Sequence, residues 1–169
     1  MSKTKIGQGL LGLICLSLLG CPRIDTNRVD DHSDFQVFEY GFGGPVFGTG
    51  DVLTGATIQR QANGQYQFEA IVNTANPEVR DADGFLHLPP RILTQDEVSR
   101  MRTAFSHIEM HIMLSFQLCP TDQFVFSFRW DDFKGVNSTA CPQIGDQVVN
   151  EPSVEEIAQM MDDFWHAGG

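Results

Sequence analysis

The sequence predicts an α+β domain in which two helices pack on a mainly antiparallel sheet. Two features support this prediction. Apolar residues alternate with polar ones in four segments, as in strands with one buried face, and two Ser/Thr-x-x-Glu capping boxes each precede an apolar pattern of helical period. The segments are 52–58, 66–72, 108–118 and 124–130, and the boxes begin at Thr94 and Ser153. We therefore expect two hairpins plus an N-terminal strand, packed by two helices.

The N-terminal strand is expected at 35–40, where aromatic and β-branched residues give the composition of a strand. Four residues that disfavour a regular strand follow directly, namely Gly41, Gly43, Gly44 and Pro45. We therefore expect a turn or bulge to interrupt the strand there.

The first hairpin joins the alternating segments on either side of an Asn-Gly sequence. A two-residue loop would place their apolar sets on opposite faces, whereas a three-residue loop pairs Ile58 with Phe68 and Ala56 with Ala70. The sequence therefore predicts a three-residue connection with Gly64 in the left-handed region.

A long, irregular connection is expected over 73–93. Asp81 and Asp83 have the spacing of carboxylates in a calcium loop, but Val79 stands two residues before Asp81 and Pro90 occupies the position of the bidentate glutamate. Both aspartates are therefore interpreted as turn residues.

The first helix is expected from Gln95 to about His107, and the period then changes from helical to alternating. The segments 108–118 and 124–130, with a turn at 119–122, predict a second hairpin that forms the aromatic centre of the sheet. Its even-numbered phenylalanines and Trp130 are interpreted as core residues, in preference to a platform for a ligand.

The last part of the chain is loop-rich over 131–150, and a closing helix is expected at the second capping box, Ser153 to Glu156. The pairs Asp131-Asp132 and Asp162-Asp163 contain the side-chain type used in acid/base catalysis. Adjacent residues rarely converge on one substrate atom, so both pairs are interpreted as solvated faces.

One constellation suits a metal ion. His107, Glu109 and His111 would share a face of the predicted strand, where imidazole and carboxylate groups could bind Zn²⁺. The alternative is favoured: His107 ends a helix and His111 lies on a solvated face. No nucleophile elbow, P-loop, dinucleotide fingerprint or zinc-protease motif occurs, so the sequence predicts a protein that is not an enzyme.

The charge of the chain limits its partners. It carries 11 basic and 22 acidic side chains, for a formal net charge of −11. Such a surface repels phosphates, which argues against nucleic acid and anionic headgroups as partners. Divalent cations and basic proteins remain compatible with it.

The N-terminus has the pattern of an export signal. Lys3 and Lys5 precede an apolar run over 6–20, which is shorter than the roughly 20 apolar residues of a transmembrane helix. The run ends in Leu18-Leu19-Gly20-Cys21, which resembles the lipobox of bacterial lipoproteins. The resemblance implies cleavage between Gly20 and Cys21, a diacylglyceryl group on the Cys21 thiol, and usually acylation, commonly with palmitate, of the new amino terminus.

This resemblance also predicts the organisation and address of the chain. Residues 1–20 would be the signal peptide, 21–34 a flexible tether and 35–169 a single domain. The protein would lie in the bacterial cell envelope, anchored outside the cytoplasm by lipid. Pro22 after the cysteine favours the outer membrane in a diderm cell.

Two cysteines remain once Cys15 and the lipidated Cys21 are set aside. Export would place Cys119 and Cys141 in an oxidising compartment, so they are expected to form a disulfide that contributes about 3 kcal/mol in the chain-entropy model. Two free buried thiols are the alternative.

A second resemblance is one of layout. The chain combines a Gly43-Gly44 pair, a hairpin, a helix opening at 93–97, a second hairpin and a helix opening at Pro152, and in this order it is similar to small bacterial proteins related to emfourin, a metalloprotease inhibitor. The sequence predicts an accessory protein with no cofactor besides its lipid and with a protein partner. A protease inhibitor and a zinc-binding protein or enzyme are the alternatives.

Overall fold

The computed structural model describes most of the domain. The described residues are 28–43, 50–114, 125–131, 133–137 and 144–168, with the backbone alone for Val136 and Asn137. The predicted leader, Cys21, Cys119 and Cys141 lie outside the described residues, so their predicted roles remain predictions.

The described strands form one sheet. Its strands are β1 (Arg28–Asp30), β2 (Val37–Gly43), β3 (Val52–Arg60), β4 (Tyr66–Asn73), β5 (Leu86–His87), β6 (Arg91–Ile92), β7 (Ile108–Ile112), β8 (Val125–Trp130), β9 (Phe133–Asn137) and β10 (Gln147–Val149). The helices are α1 (Gln95–Phe105) and α2 (Glu151–Ala167), and a short 3-10 turn spans Pro77–Val79. The strand order is β1-β7-β10-β9-β8-β2-β3-β4-β5, with β6 also paired to β4. The described pairings are antiparallel except for β9 with β10, which confirms an α+β fold dominated by a mainly antiparallel sheet.

The predicted N-terminal strand is the central strand β2, which pairs with β3 and with β8. It continues through Gly41 to Gly43, so the interruption predicted at Gly41 is wrong. Gly41 lies opposite both Gly55 and Ser127, and a Cβ atom built on it would lie 2.5 Å from Ser127 Oγ. A side chain at this position would displace the Ser127 hydroxyl, so Gly41 fits the close approach of the neighbouring strand and does not mark a turn.

The first hairpin has the predicted register. Ile58 lies opposite Phe68 and Ala56 opposite Ala70. The N–H of Gln61 donates to the carbonyl of Gln65 at 2.7 Å, which leaves three residues in the connection. The last of them, Gly64, has φ of 83°, so the predicted left-handed glycine is confirmed.

The predicted second hairpin is wrong. In the described sheet β7 pairs with β1 and β10, while β8 pairs with β2 and β9. Alternation fixes which side chains of a strand share a face, but it does not determine which strand lies beside it. The predicted turn at 119–122 lies outside the described residues.

The chain after β8 turns directly into β9 at Asp131, whose φ is 48°. Aspartate tolerates this left-handed region better than most residues. Its Oδ1 accepts hydrogen bonds from the N–H groups of Gln36 at 3.0 Å and Val37 at 2.8 Å. Asp131 is exposed, as predicted, and its carboxylate in addition fastens the β8–β9 turn to the start of β2.

The described end of the predicted tether belongs to the sheet. β1 pairs with β7, with Arg28 opposite Met110. His32 follows, and its ring stacks against both Trp130 and Phe133, with 4.9 Å and 4.5 Å between the respective ring centroids. The N–H of His32 donates to the carbonyl of Phe105 at 2.7 Å, so residues 28–32 are held by backbone and ring contacts.

The first helix begins as predicted. The Thr94 hydroxyl accepts from the N–H of Glu97, and the Glu97 carboxylate accepts from the N–H of Thr94. This confirms the first capping box, and the helix ends at Phe105 with Ser106 as its C-cap residue, two residues before the predicted limit near His107.

The second helix begins earlier than predicted. It starts at Glu151, with Pro152 in its first turn and Asn150 as the N-cap residue. The second capping box is therefore wrong. Ser153 is buried in the first turn, where its hydroxyl accepts from the N–H of Glu109 in β7 at 2.9 Å. Neither described helix is long and apolar enough to span a membrane.

Both helices cover the same face of the sheet. The buried residues that they contribute include Met101, Phe105, Ile157, Met160 and Phe164, and the sheet contributes Phe38, Ile58, Phe68, Phe128 and Trp130. Phe128 and Trp130 are thus core residues, as predicted. Phe126 is only half-buried, and Phe124 lies outside the described residues.

An ion pair ties three elements together. The Arg91 guanidinium in β6 donates two hydrogen bonds to the Glu97 carboxylate in α1, at 2.6 and 3.0 Å, and a third to the carbonyl of Phe164 in α2 at 2.6 Å. It also lies 5.4 Å from the centroid of the Phe68 ring. Burial raises the pKa of Glu97, but the hydrogen bonds from Arg91 and Thr94 outweigh it, and the pKa is lowered on balance.

We expect Arg91→Met to lower the free energy of unfolding by about 2–3 kcal/mol, because it leaves the largely buried Glu97 carboxylate and a helix carbonyl without this donor. Urea denaturation of the purified chain measures the change. Arg100→Met is the matched control, since Arg100 forms an exposed ion pair with Asp163 at 2.6 Å and such pairs contribute little. Equal losses in the two variants would contradict the structural role of Arg91.

A second prediction concerns acid. Burial lowers the pKa of His32 below its ordinary value of 6.5, although the Asp30 carboxylate opposes the shift. The His32 imidazole therefore binds a proton more readily in the unfolded chain than in the folded chain. Stability therefore falls as the pH drops through about 6.5, and His32→Phe should reduce that fall between about pH 7.5 and pH 5.5.

His87 supplies the opposite control. The hydrogen bond with Asp83 raises the pKa of His87. Protonated His87 therefore stabilises the folded chain, and this stabilisation is lost as the pH rises. His87→Asn should therefore steepen the loss on acidification. Urea midpoints at the two pH values test both variants, and a His32→Phe profile parallel to the wild type would refute the assignment.

Candidate functional site

An open groove of about 680 Å³ lies between α2 and the ends of β2, β3 and β8. It opens on the helix-covered side of the sheet, where the strands continue beyond the packed core. Its volume is in the range of small-ligand sites in proteins. The groove is therefore the candidate functional site.

Aromatic and aliphatic side chains form the floor of the groove. Phe42 lies opposite Phe126 across β2 and β8, with 5.0 Å between ring centroids, and Tyr40 lies 6.2 Å from Phe126. Leu53 of β3 extends the floor, and α2 presents the small side chain of Ala158 above it. The alternating aromatic residues of β2 and β8 thus continue beyond the part of the sheet that α2 covers, and the last two rings, Phe42 and Phe126, remain accessible.

Carboxylates form the rim. Glu155 and Asp162 lie seven residues apart on α2, which places them on one face of the helix about two turns apart. Asp51 approaches from the start of β3. None of the described residues that line the groove is a lysine or an arginine. The rim therefore favours a positively charged ligand.

Tyr40 connects the floor with the rim. Its side chain is 7% exposed, and its hydroxyl makes no hydrogen bond with any part of the chain that the structure describes. Burial, with a smaller contribution from the charge of Asp162, raises the pKa of Tyr40 well above its usual value. The hydroxyl thus stays protonated at neutral pH and can donate to a ligand.

At the α2 end the groove is bordered by Trp165, whose ring stacks on His166 at 4.3 Å between centroids. His166 Nε2 in turn lies 3.7 Å from the Asp162 carboxylate. An indole face beside a carboxylate is a favourable place for a guanidinium or ammonium group. The groove therefore combines an apolar floor, an acidic rim and an aromatic end, a set suited to binding an amphipathic cation.

The structure does not assemble the zinc site considered from the sequence. His107 Nδ1 lies 2.6 Å from Ser106 Oγ, and His111 Nδ1 lies 2.8 Å from Asn150 Oδ1. The Glu109 side chain is exposed. Within the described ranges no three histidine, cysteine, aspartate or glutamate side chains are placed to hold a metal ion.

Sequence reasoning missed the groove. The sequence predicts a core position for Phe126 and a solvated face for Asp162. The signal available was the mixed acidic and aromatic face of α2 at helical spacing, in Glu155, Asp162 and Trp165. This helix face indicates a site only once the strands beside it are known. Those strands, β2, β3 and β8, are distant from α2 in the sequence.

Comparison with known proteins supplies no relative from which a role for the groove could be transferred. No protein family, curated protein or solved structure matches this chain. A functional proposal for the chain therefore rests on the chemistry of its own residues.

Proposed function

We propose that this chain is a lipid-anchored bacterial protein outside the cytoplasm, and that its domain is a non-enzymatic binding module whose ligand occupies the groove. The observation that carries the proposal is the apolar floor beneath the acidic rim of Asp51, Glu155 and Asp162. Such a groove provides affinity through burial and orientation through charge.

The anchor in this proposal is Cys21, with the lipobox as its support. The sheet begins at Arg28, so at most about 25 Å of extended chain separates the lipid from β1. In this proposal the flexible tether is the part of 21–34 that precedes β1. We include in the proposal a disulfide between Cys119 and Cys141, which export would permit.

A second candidate, the protease inhibitor, is favoured by one observation. Residues 76–90 form a largely exposed loop that has internal fastenings. The N–H of Asp81 donates to the carbonyl of Phe85 at 2.7 Å, and the Arg80 guanidinium donates to the carbonyl of Thr74. A pre-organised exposed loop is what an inhibitor presents to a protease.

The anchor is tested by growing bacteria that express the full chain in labelled palmitate. We expect a labelled band in the membrane fraction, and no label with release from the membrane for Cys21→Ser, because the thiol is the acceptor of the first lipid group. Cys15→Ser is the control and should stay labelled and anchored. An unlabelled wild type, or a Cys21→Ser form that is retained in the membrane, would reject the lipoprotein assignment.

The binding role is tested by pull-down from solubilised membranes with the full chain as bait. Ala158→Lys places a long charged side chain over the floor and should reduce recovery of a specific partner about tenfold. Ala167→Lys makes the same change at the exposed end of α2 and should have no effect, and thermal melting verifies that both variants fold. A partner that Ala158→Lys retains and His87→Ala loses would instead favour the loop and the inhibitor role.

A further inference from the structure

We propose that the ligand of the groove is a short basic peptide segment of a partner protein, in which two arginine or lysine residues flank apolar ones. This inference rests on the proposed binding role of the groove and specifies the chemistry of its ligand. Three features of the groove lead to it: its charge, the spacing of its carboxylates and the composition of its floor.

The charge of the groove selects against most other occupants. The rim carries Asp51, Glu155 and Asp162, and the described lining contains no lysine or arginine to balance them. The chain as a whole has a formal net charge of −11, so a second copy would be repelled as it approached. An acidic peptide or a phosphate-bearing ligand would meet the same repulsion, whereas a basic segment is attracted.

The spacing of the rim matches an extended peptide. Glu155 and Asp162 are seven residues apart on α2, which corresponds to about 10 Å along the helix axis. Three residues in the polyproline II conformation, with a rise of about 3.1 Å per residue and three residues per turn, cover about the same distance and place side chains three positions apart on one face. A peptide lying along α2 would therefore bring basic residues three positions apart to these two carboxylates.

The floor favours apolar side chains between those basic residues. Phe126, with Leu53 beside it, lines the groove with apolar surface, and the aromatic ring of Trp165 also lines the groove, where it can attract a guanidinium. The Tyr40 hydroxyl has no partner in the described part of the chain, so it is available to donate to a peptide carbonyl. A simple inorganic or organic cation would leave this floor unused.

The test is fluorescence anisotropy with two labelled hexapeptides, Gly-Arg-Leu-Leu-Arg-Gly and Gly-Glu-Leu-Leu-Glu-Gly, titrated with the full chain in neutral detergent. We expect the arginine peptide to bind at least about tenfold more tightly than the glutamate peptide, because only the former complements the rim. Its Kd should rise several-fold between about 0.05 and 0.5 M salt, as expected for exposed charges.

Two matched double variants distinguish the effect of the rim carboxylates from the effect of the net charge of the chain. Glu155→Gln with Asp162→Asn should raise the Kd of the arginine peptide about fivefold or more, since two exposed pairings are removed. Glu78→Gln with Glu156→Gln removes the same charge from exposed residues outside the groove and should change the Kd less than about twofold. Equal losses in the two double variants, or no detectable binding of the arginine peptide, overturn the inference.

Failure of this inference is distinguishable from failure of the binding role. If the glutamate peptide binds more tightly and Ala158→Lys abolishes that binding, the groove binds ligands but the charge assigned to its ligand is wrong. If Ala158→Lys leaves both peptide binding and partner recovery from membranes unchanged, the groove is not the binding site, and both the binding role and the inference are rejected.

Discussion

The fold depends on the packing of Phe38 at the centre of the sheet. Its side chain is fully buried, with ring centroids 5.0 Å from Trp130 in β8 and 4.6 Å from Phe105 in α1. In the ladder it lies opposite Trp130 on one side and Ile58 on the other. One residue thus joins two neighbouring strands and a helix, and burying it requires α1 to cover this face of the sheet.

Polar contacts fix the elements that surround this apolar centre. The Arg91–Glu97 pair holds α1 and α2 at the β6 edge, the Ser153 hydroxyl binds α2 to β7, and the Asp131 carboxylate fastens the β8–β9 turn to β2. Each contact satisfies groups that would otherwise be buried or strained without a partner. The contacts of Arg91 and Ser153 hold α2 in its place over the sheet, and the position of α2 in turn sets where the groove opens.

The groove follows from the same one-sided burial. The aromatic alternation of β2 and β8 continues to Phe42 and Phe126, but α2 presents Ala158 there and leaves these rings half-buried. Half-buried aromatic rings beside carboxylates pack only partly against the core and are accessible to a ligand. This accessible surface is the physical basis for proposing that the domain binds a basic, partly apolar segment.

The sequence by itself determined the features that depend on local periodicity and chemistry. These are the α+β class, the buried face of β4 and of β3 from Ala56 onward, the register of that part of the β3–β4 hairpin with Gly64, and the Thr94 capping box. The lipobox is a sequence-based prediction of the same local kind, and the Cys119–Cys141 disulfide is a prediction that rests on the export it implies. The features that the sequence determined depend on residues close together in the chain or on a motif of a few positions.

Only the tertiary structure decided which strands became neighbours, where α2 begins and what Asp131 and Ser153 bind. Alternation within β7 and β8 gave their buried faces but not their partners, and β9 and β10 lie between them in the described sheet. The groove likewise brings Tyr40 and Phe126 to Asp162, from three elements that are distant in the sequence. A periodic pattern constrains the face of one element, whereas a site depends on the relative placement of several, and that placement is set by long-range packing.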